Sequence, residues 1–319
     1  MNRPDDQPYL VTVGETLAAL SASQPGPLSL GTDLRLGIAG AESNVAVGVS
    51  RLGGSATWIS RVSDDALGDL ILRELRAEGV TTVAARDPAP TSLLLKERRT
   101  RTHTRTRYYR THTAGARLTA ADIPEQIVAR ASVLHVTGIT PALGEGPAAA
   151  VTRAVDIAAD AGVTISLDVN FRSLLWSEDE ARGVLLPLLR RCDLVFAGPH
   201  EAGLVVSGAD GPGELAQGIC DLGPGGAVIK LGAEGAYARL DGQTYRQPAV
   251  PVGVDDVVGA GDAFAAGYLA ELLAGESPRR RLRTAAVLGA FAVSTTGDWE
   301  GLPRRHELDL LDHYDDIVR

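Results

Sequence analysis

Short runs rich in β-branched residues alternate along the chain with longer stretches rich in alanine and leucine. The short runs predict strands at 9–13, 57–62, 133–137, 164–169, 194–197 and 227–231. The longer stretches predict helices at 42–52, 66–78, 147–161 and 178–190. Strands separated by helices of this length indicate a mainly parallel sheet with helices on both faces. With no repeat and no low-complexity linker, the pattern predicts a single α/β domain over residues 1–319.

Two segments depart from this alternation. Residues 15–38 contain no convincing helix, and residues 91–113 alternate strictly in their middle between arginine or histidine and threonine. The alternation predicts a strand with one basic face, formed by Arg99, Arg101, His103, Arg105 and Arg107. The threonines at 100, 102, 104 and 106 would form the other face. Two interpretations stay open: a solvated edge strand, or a basic flap beside an anionic ligand.

Composition narrows the possible partners. The chain has 319 residues, 45% hydrophobic and 22% charged, which is ordinary for a folded protein. A net charge of −9 argues against non-specific binding to nucleic acid or to an anionic membrane. Neither cysteine belongs to a CxxC motif, the N-terminus is unlike a signal peptide, and the apolar runs are shorter than a membrane span. We therefore expect a cytoplasmic protein without a nucleic-acid or membrane partner.

The stretch VVGAGDAFAAGYL at 257–269 carries the strongest chemical signal. Gly259, Ala260 and Gly261 let a backbone turn present its N–H groups to an anion at a helix start. The following helix, at 263–274, is apolar on every side, so Asp262 would lie at the floor of a cleft. There it could accept a proton from an attacking hydroxyl. The alternative role for Asp262 is a plain helix N-cap.

This stretch resembles the C-terminal signature of ribokinase-like sugar kinases of the phosphofructokinase-B type. The resemblance implies a ribokinase-like α/β fold with a small β lid, formed by segments near 15–38 and 91–113. It also implies that Asp262 is the catalytic base and that Gly259, Ala260 and Gly261 form an anion hole. ATP and Mg²⁺ would take part in the reaction. Lids of this family often pair across a dimer, so the resemblance further implies a homo-oligomer.

Other motifs extend the resemblance along the chain. GIAGAESNVAVGVSRLGG at 37–54 is similar to the sugar-binding motif, and VIKLGAEGAYA at 228–238 is similar to the nucleotide loop. The segment GPHE at 198–201 retains the glutamate of a motif linked to magnesium, with Gly198 in place of the usual asparagine. The resemblance thus assigns the sugar to Gly40 and Asn44, the nucleotide to Lys230, Gly232 and Gly235, and the metal to Glu201.

Within the family, the chain is most similar to 2-keto-3-deoxygluconate kinases. This likeness rests on HVTGITPAL at 135–143, SLDVNFRSLLWSEDEAR at 166–182, and the tyrosine–arginine pair near 110. It assigns Tyr108, Arg110 and Arg172 to the substrate, and Asp168 and Asn170 to the phosphate path. The chemistry agrees, because the carboxylate of a sugar acid requires a guanidinium or an equivalent donor.

One position differs from those enzymes and keeps alternatives open. Leu94 stands where they use a tyrosine on the strand that precedes Tyr108. The first alternative is a kinase of a neutral sugar such as fructose or ribose. The second is a non-enzymatic sensor of sugar or nucleotide, although such a protein would have no use for a base at Asp262.

Overall fold

The strands form two separate sheets in a computed structural model that describes residues 7–100 and 103–311. In chain order they are β1 (Tyr9–Val13), β2 (Leu17–Ala22), β3 (Leu34–Ala39), β4 (Ser55–Ser63), β5 (Thr81–Asp87), β6 (Leu93–Arg98), β7 (Thr104–Tyr109), β8 (Val133–Thr137), β9 (Thr164–Asp168), β10 (Leu194–Ala197), β11 (Gly226–Lys230), β12 (Ala236–Leu240) and β13 (Gln243–Gln247). The larger sheet has the order β13-β12-β11-β10-β9-β8-β1-β4-β5. Its pairs are parallel from β11 to β5, and β12 and β13 extend it in antiparallel fashion. The predicted α/β sheet is confirmed.

Helices cover both faces of this sheet. They are α1 (Ala41–Arg51), α2 (Ala66–Ala77), α3 (Glu125–Ala129), α4 (Glu145–Ala161), α5 (Glu178–Leu189), α6 (Pro199–Val205), α7 (Pro212–Asp221), α8 (Ala260–Leu273) and α9 (Pro278–Val293). Two buried clusters result, one against α1, α2, α8 and α9 and the other against α3 to α7. Adjacent strand residues enter different clusters, as Val195 and Phe196 do, because side chains alternate across a strand. Within the described ranges, no helix has the length and apolar character needed to cross a membrane.

The smaller sheet has the order β3-β2-β6-β7 and draws on both segments that lacked helices in the sequence pattern. Strands β2 and β6 are parallel, and β3 and β7 join them as antiparallel edge strands. A small apolar cluster of its own holds it together: Leu17, Ala19, Ala39 and Leu94. The position that differs from the keto-deoxygluconate kinases, Leu94, is therefore a core residue of this sheet.

The prediction of a single strand through the arginine–threonine run is wrong in part. The run forms a hairpin, in which β6 ends at Arg98 and β7 begins at Thr104, while Arg101 and Thr102 lie outside the described residues. The backbone N–H of Thr100 donates to the carbonyl of His103 across the turn. Arginine and threonine occur both in extended strands and in polar turns. The alternation therefore gave no sign that the chain reverses direction here.

In β7 itself the predicted alternation matches the packing. Arg105 and Arg107 are exposed on the edge strand, whereas Thr106 and Tyr108 belong to the lining of a cavity. The basic side chains therefore lie on the opposite face of the strand from the cavity. This arrangement favours the solvated edge strand over the basic flap.

The C-terminal part of the described chain is tied to α8 by a buried carboxylate. Glu271 accepts hydrogen bonds from the hydroxyl of Thr284 in α9 and from Nη1 of Arg305, both at 3.0 Å. Arg305 also donates to the carbonyl of Leu52 at the end of α1. Because Glu271 is only 1% exposed, loss of the guanidinium would leave its charge with one neutral donor.

We predict that Arg305→Met lowers the free energy of unfolding by about 1–3 kcal/mol, the range for leaving a buried polar group short of a partner. Denaturant unfolding measures the change. Arg304→Met is the matched control, because the Arg304 side chain is 57% exposed and its Nη2 atom lies 3.8 Å from Oε2 of Glu78. That variant should change the free energy by less than about 0.5 kcal/mol. Equal losses in both variants would contradict the assignment.

Candidate active site

A cavity of about 760 Å³ lies between the smaller sheet and loops of the larger sheet and its helices, which together are called the body. The smaller sheet contributes Leu17, Ala39, Leu94, Lys96, Thr106 and Tyr108 to its lining. The body contributes the start of α1, the loop after β9, the start of α6, the end of β11, and the loop that enters α8. The loops that follow parallel strands are the usual ligand site of an open α/β sheet.

Most residues predicted for the site line this one cavity. They are Gly40, Asn44, Tyr108, Arg110, Asn170, Arg172, Glu201, Lys230, Gly259, Gly261 and Asp262. Four others lie outside its lining: Asp168, Gly232, Gly235 and Ala260. Chain positions as far apart as 40 and 262 therefore meet at a single site.

Helix α8 begins three residues earlier than the sequence pattern predicts. Gly259 is the N-cap with a left-handed φ of 75°, and Asp262 is the third residue of the helix. The N-cap alternative for Asp262 is therefore wrong. A glycine can end the preceding loop in a left-handed conformation, which leaves the carboxylate within the first turn of the helix. A Cβ atom on Gly261 would meet only Nζ of Lys230, at 3.2 Å, so the first turn of the helix borders that ammonium group.

The Asp262 carboxylate is buried and held by two amides. Nδ2 of Asn44 donates to Oδ2 at 2.9 Å, and Nδ2 of Asn170 donates to Oδ1 at 3.3 Å. Burial raises the pKa of Asp262 to about 6, and the Asp168 charge adds to the increase, whereas Asn44, Arg172 and Lys230 oppose it. A carboxylate with this pKa is ionised at neutral pH and still basic enough to accept a proton.

Asn44 differs in its placement from a side chain that simply faces a sugar. It is only 2% exposed, and its amide nitrogen is already engaged by Asp262. Asn170 has φ of 39°, in the left-handed region that asparagine tolerates better than most residues. This backbone conformation directly after β9 lets the second amide reach the carboxylate.

Lys230, at the end of β11, forms an ion pair with Asp168 at the end of β9. The Nζ atom lies 2.6 and 2.8 Å from the two carboxylate oxygens. Burial lowers the pKa of Lys230, but the Asp168 and Glu201 carboxylates more than offset it, and the pKa lies above its usual value. The cavity therefore contains a permanently charged ammonium group beside the first turn of α8.

Glu201 has a local structural role in addition to its place in the cavity. Its carboxylate accepts the backbone N–H of Phe171 at 3.1 Å and that of Gly198 at 2.5 Å. It thereby joins the start of α6 to the loop that carries Arg172. Among residues 7–100 and 103–311, no group of three or more His, Cys, Asp and Glu side chains could hold a metal. Each oxygen of Glu201 keeps one lone pair that could bind Mg²⁺, which keeps several waters and binds largely through phosphate oxygens.

The glycines predicted for the nucleotide form the tight turn between β11 and β12. Gly232 has φ of 58° and Gly235 has φ of 92°. A Cβ atom on Gly235 would lie 2.0 Å from the carbonyl oxygen of Gln247. The positive φ angles explain why glycine is required at both positions, and the close approach of β13 adds a second reason at Gly235. Neither reason involves a ligand.

The two predicted arginines have different surroundings. Arg110 forms two hydrogen bonds to Glu15, whose side chain is 1% exposed, and its guanidinium lies 5.2 Å from the ring of Tyr108. Arg172 is exposed at the cavity and has no ion-pair partner among the described residues. Of the two guanidinium groups, Arg172 is therefore the one not held in an ion pair among the described residues, and its charge helps to lower the pKa of Asp262.

The sequence pattern did not identify Glu15 or a second buried ion pair, Lys96–Asp298, as part of the site. Both pairs lie in the cavity lining. A sequence signal existed for Lys96, because it and Lys230 are the only lysines among 31 basic residues. Glu42 also lines the cavity; it accepts hydrogen bonds from Thr137 and Thr140, and burial raises its pKa to about 7.

Comparison with known proteins gives a consistent result. Residues 7–305 match the family described as pfkB family carbohydrate kinase. The chain is 37% identical to a 2-dehydro-3-deoxygluconokinase of Bacillus subtilis, with 93% of each chain covered. It is 33% identical to a 2-dehydro-3-deoxygalactonokinase of Haloferax volcanii, over 91% of this chain and 92% of the relative.

A solved structure supports the same fold. A putative ribokinase II from E. coli, in complex with ATP and Mg²⁺, has a TM-score of 0.88 and 25% identity. The similarity covers 96% of this chain and 99% of that one. The predicted ribokinase-like α/β fold is thereby confirmed.

Proposed function

The chain belongs to the pfkB family of carbohydrate kinases, and we propose that it phosphorylates the terminal hydroxyl of 2-keto-3-deoxygluconate or a related sugar acid with ATP. The relatives named for the gluconate and galactonate forms of this compound support a 2-keto-3-deoxy acid. The observation that carries the proposal is the exposed guanidinium of Arg172, which no described carboxylate holds in an ion pair, in the same cavity as the buried Asp262 carboxylate. Because these relatives are kinases, the alternative of a non-enzymatic sensor has no further support.

Asp262 acts as the general base in the proposed reaction. It accepts the proton of the sugar hydroxyl while the hydroxyl oxygen forms a bond to the terminal phosphorus of ATP, and ADP leaves with the electron pair of the broken P–O bond. The amides of Asn44 and Asn170 orient the carboxylate for this transfer. The N–H groups of the loop 259–261 and the Lys230 ammonium stabilise the negative charge on the transferred group.

The nucleotide and its metal ion would occupy the side of the cavity bordered by Lys230 and Glu201. Bound Mg²⁺ neutralises phosphate charge and orients the phosphates. Glu201 would hold it, because each carboxylate oxygen keeps a lone pair beside the one backbone N–H group that it accepts. Asp168 keeps Lys230 in place, and Gly232 and Gly235 shape the turn that we expect to border the nucleotide. A structural neighbour in complex with ATP and Mg²⁺ supports the use of this nucleotide and metal.

In this proposal, Arg172 is the main residue that binds the sugar carboxylate. Arg110 shares its charge with Glu15, so it serves mainly to hold the Tyr108 ring and to offer a remaining N–H group. A kinase of a neutral sugar stays the second candidate, because Leu94 supplies no hydroxyl and Arg110 is neutralised in place.

We predict that the rate of sugar phosphorylation falls as the pH drops through about 6, because Asp262 must be ionised to act as the base. Asn44→Ala removes a donor that stabilises the charged form, so the acid limb of kcat/KM should move to higher pH. Asp262→Asn should lower kcat by about 10²- to 10⁴-fold.

The control for this pH profile is Glu42→Gln, which removes the other carboxyl that titrates near neutrality. Removing the Glu42 charge should leave the acid limb in place or move it to lower pH, opposite to Asn44→Ala. An Asn44→Ala enzyme with an unchanged acid limb would show that the amide does not act through Asp262.

We predict that Arg172→Met raises KM for 2-keto-3-deoxygluconate by about 10- to 150-fold, because a hydrogen bond to a charged group contributes about 1.5–3 kcal/mol. The effect on a neutral sugar, such as fructose used as a poor substrate, should be far smaller. Arg110→Met should show less difference between acid and neutral sugars, since Glu15 already compensates Arg110. Equal effects of Arg172→Met on both sugars would favour the neutral-sugar kinase.

We also propose a homo-oligomer formed through the outer face of the smaller sheet. Leu34 and Leu36 on one edge strand and Tyr109 on the other are exposed on this face, and exposed large apolar side chains are typical of association surfaces. Sedimentation equilibrium should give a dimer or larger species, and Leu36→Glu should shift it toward the monomer. A wild-type monomer at micromolar concentration would contradict the proposal.

A cytoplasmic location remains a prediction, supported by the free thiols of Cys192 and Cys220.

A further inference from the structure

The distribution of lysine in this chain is unusual. Of its 31 basic residues, 29 are arginines and only Lys96 and Lys230 are lysines. Both lysines line the cavity, and each forms an ion pair with an aspartate. The pair Lys230–Asp168 belongs to the proposed phosphoryl-transfer machinery, but the pair Lys96–Asp298 has no part in it so far.

The Lys96–Asp298 pair joins the smaller sheet to the body of the protein. Lys96 lies on β6, and Asp298 lies in the turn at 297–300, after α9. The Nζ atom is 2.6 Å from Oδ2, and the two side chains are 7% and 11% exposed. Such a pair is shielded from solvent, so removing one partner leaves the other charge in poorly hydrated surroundings.

The backbone of Asp298 also touches the loop that enters α8. A Cβ atom on Gly259 would lie 2.1 Å from the carbonyl oxygen of Asp298, so the two backbones are in direct contact. Gly259 is the N-cap of the helix whose third residue is Asp262. The position of Asp298 therefore constrains the turn that carries both the anion-binding N–H groups and the base.

The turn at 297–300 is internally braced and makes a second contact with the smaller sheet. Glu300 accepts the backbone N–H groups of Asp298 at 2.9 Å and of Trp299 at 3.1 Å. Nε1 of Trp299 donates to the carbonyl of Ile38 in β3 at 3.1 Å. Because the turn is braced in this way, a displacement at Lys96 would be passed on to Gly259.

We propose that Lys96 is a positioning residue for phosphoryl transfer. Through Asp298 it couples the smaller sheet, which borders the sugar side of the cavity, to the loop at 259–261, which borders the transferred phosphate. Sugar and nucleotide then favour the same arrangement of sheet and loop, so each strengthens binding of the other. A compact ammonium on a flexible chain suits this enclosed position better than the planar fork of arginine. The inference rests on the proposed function.

Calorimetry tests the coupling without turnover. The probes are a non-hydrolysable ATP analogue with Mg²⁺, titrated with and without a saturating sugar that the wild-type enzyme phosphorylates. In the wild type, the sugar should lower Kd for the analogue by about 5-fold or more. In Lys96→Met this factor should fall close to one, and kcat should fall by about 10²-fold with a smaller change in KM for the sugar. Lys96→Arg should restore part of the coupling.

Two further variants separate positioning from general stability. Arg61→Met removes another largely buried cation, which pairs with Asp87 and Asp122 outside the cavity lining. It should reduce stability but leave the coupling factor as in the wild type. The double variant Lys96→Met/Asp298→Asn leaves no unpaired charge, so it should unfold less readily than Lys96→Met and still lack coupling.

The inference is overturned by a wild type without coupling, by Lys96→Met with wild-type coupling, or by equal loss of coupling in Arg61→Met. Failure of the proposed function has a different signature. A wild type that phosphorylates only neutral sugars refutes the sugar-acid substrate, and the coupling is then measured with that neutral sugar. A wild type that binds sugar and nucleotide but transfers no phosphate refutes the proposed reaction, and the binding data still decide the role of Lys96.

Discussion

The site depends on keeping one carboxylate charged inside an apolar protein. Asp262 lies in the first turn of α8, a helix buried along most of its length, and burial raises its pKa to about 6. The Asn44 amide, the Lys230 ammonium and the Arg172 guanidinium oppose that increase. The balance leaves a group that is ionised at neutral pH but not strongly stabilised as an anion. Such a group is suited to accept a proton from a sugar hydroxyl.

The other charges of the cavity are mostly paired. Arg110 is compensated by Glu15, Lys230 by Asp168, and Lys96 by Asp298. Each pair connects elements that are distant in the sequence, and therefore fixes one wall of the cavity relative to another. Arg172 stands apart as an exposed cation, which is why its charge remains available to an acidic substrate. The paired charges thus stabilise the walls of the cavity, whereas the unpaired charge is available to bind a ligand.

The differences between expectation and structure have local physical causes. The arginine–threonine run was predicted as one strand, because its residue types suit a strand and a polar turn equally well. The apolar pattern places the start of α8 after Asp262, and glycine is a poor helix former. In the structure Gly259 ends the loop with a left-handed φ, and burial of α8 outweighs the weak propensity of its first turn. Asn44, for which the resemblance implies a sugar contact, lines the cavity, and its amide nitrogen also donates to Asp262.

The sequence alone determined the α/β class, the elements of the main sheet, and the resemblance that identified the kinase family. These depend on local patterns: apolar periodicity, glycine-rich turns and short motifs. Only the tertiary structure decided which charges neutralise one another, because the partners of Asp262, Arg110 and Lys96 are separated by 218, 95 and 202 residues. A side chain's pKa and availability to a ligand depend on such neighbours and on burial. Neither is contained in the residue type or its local pattern.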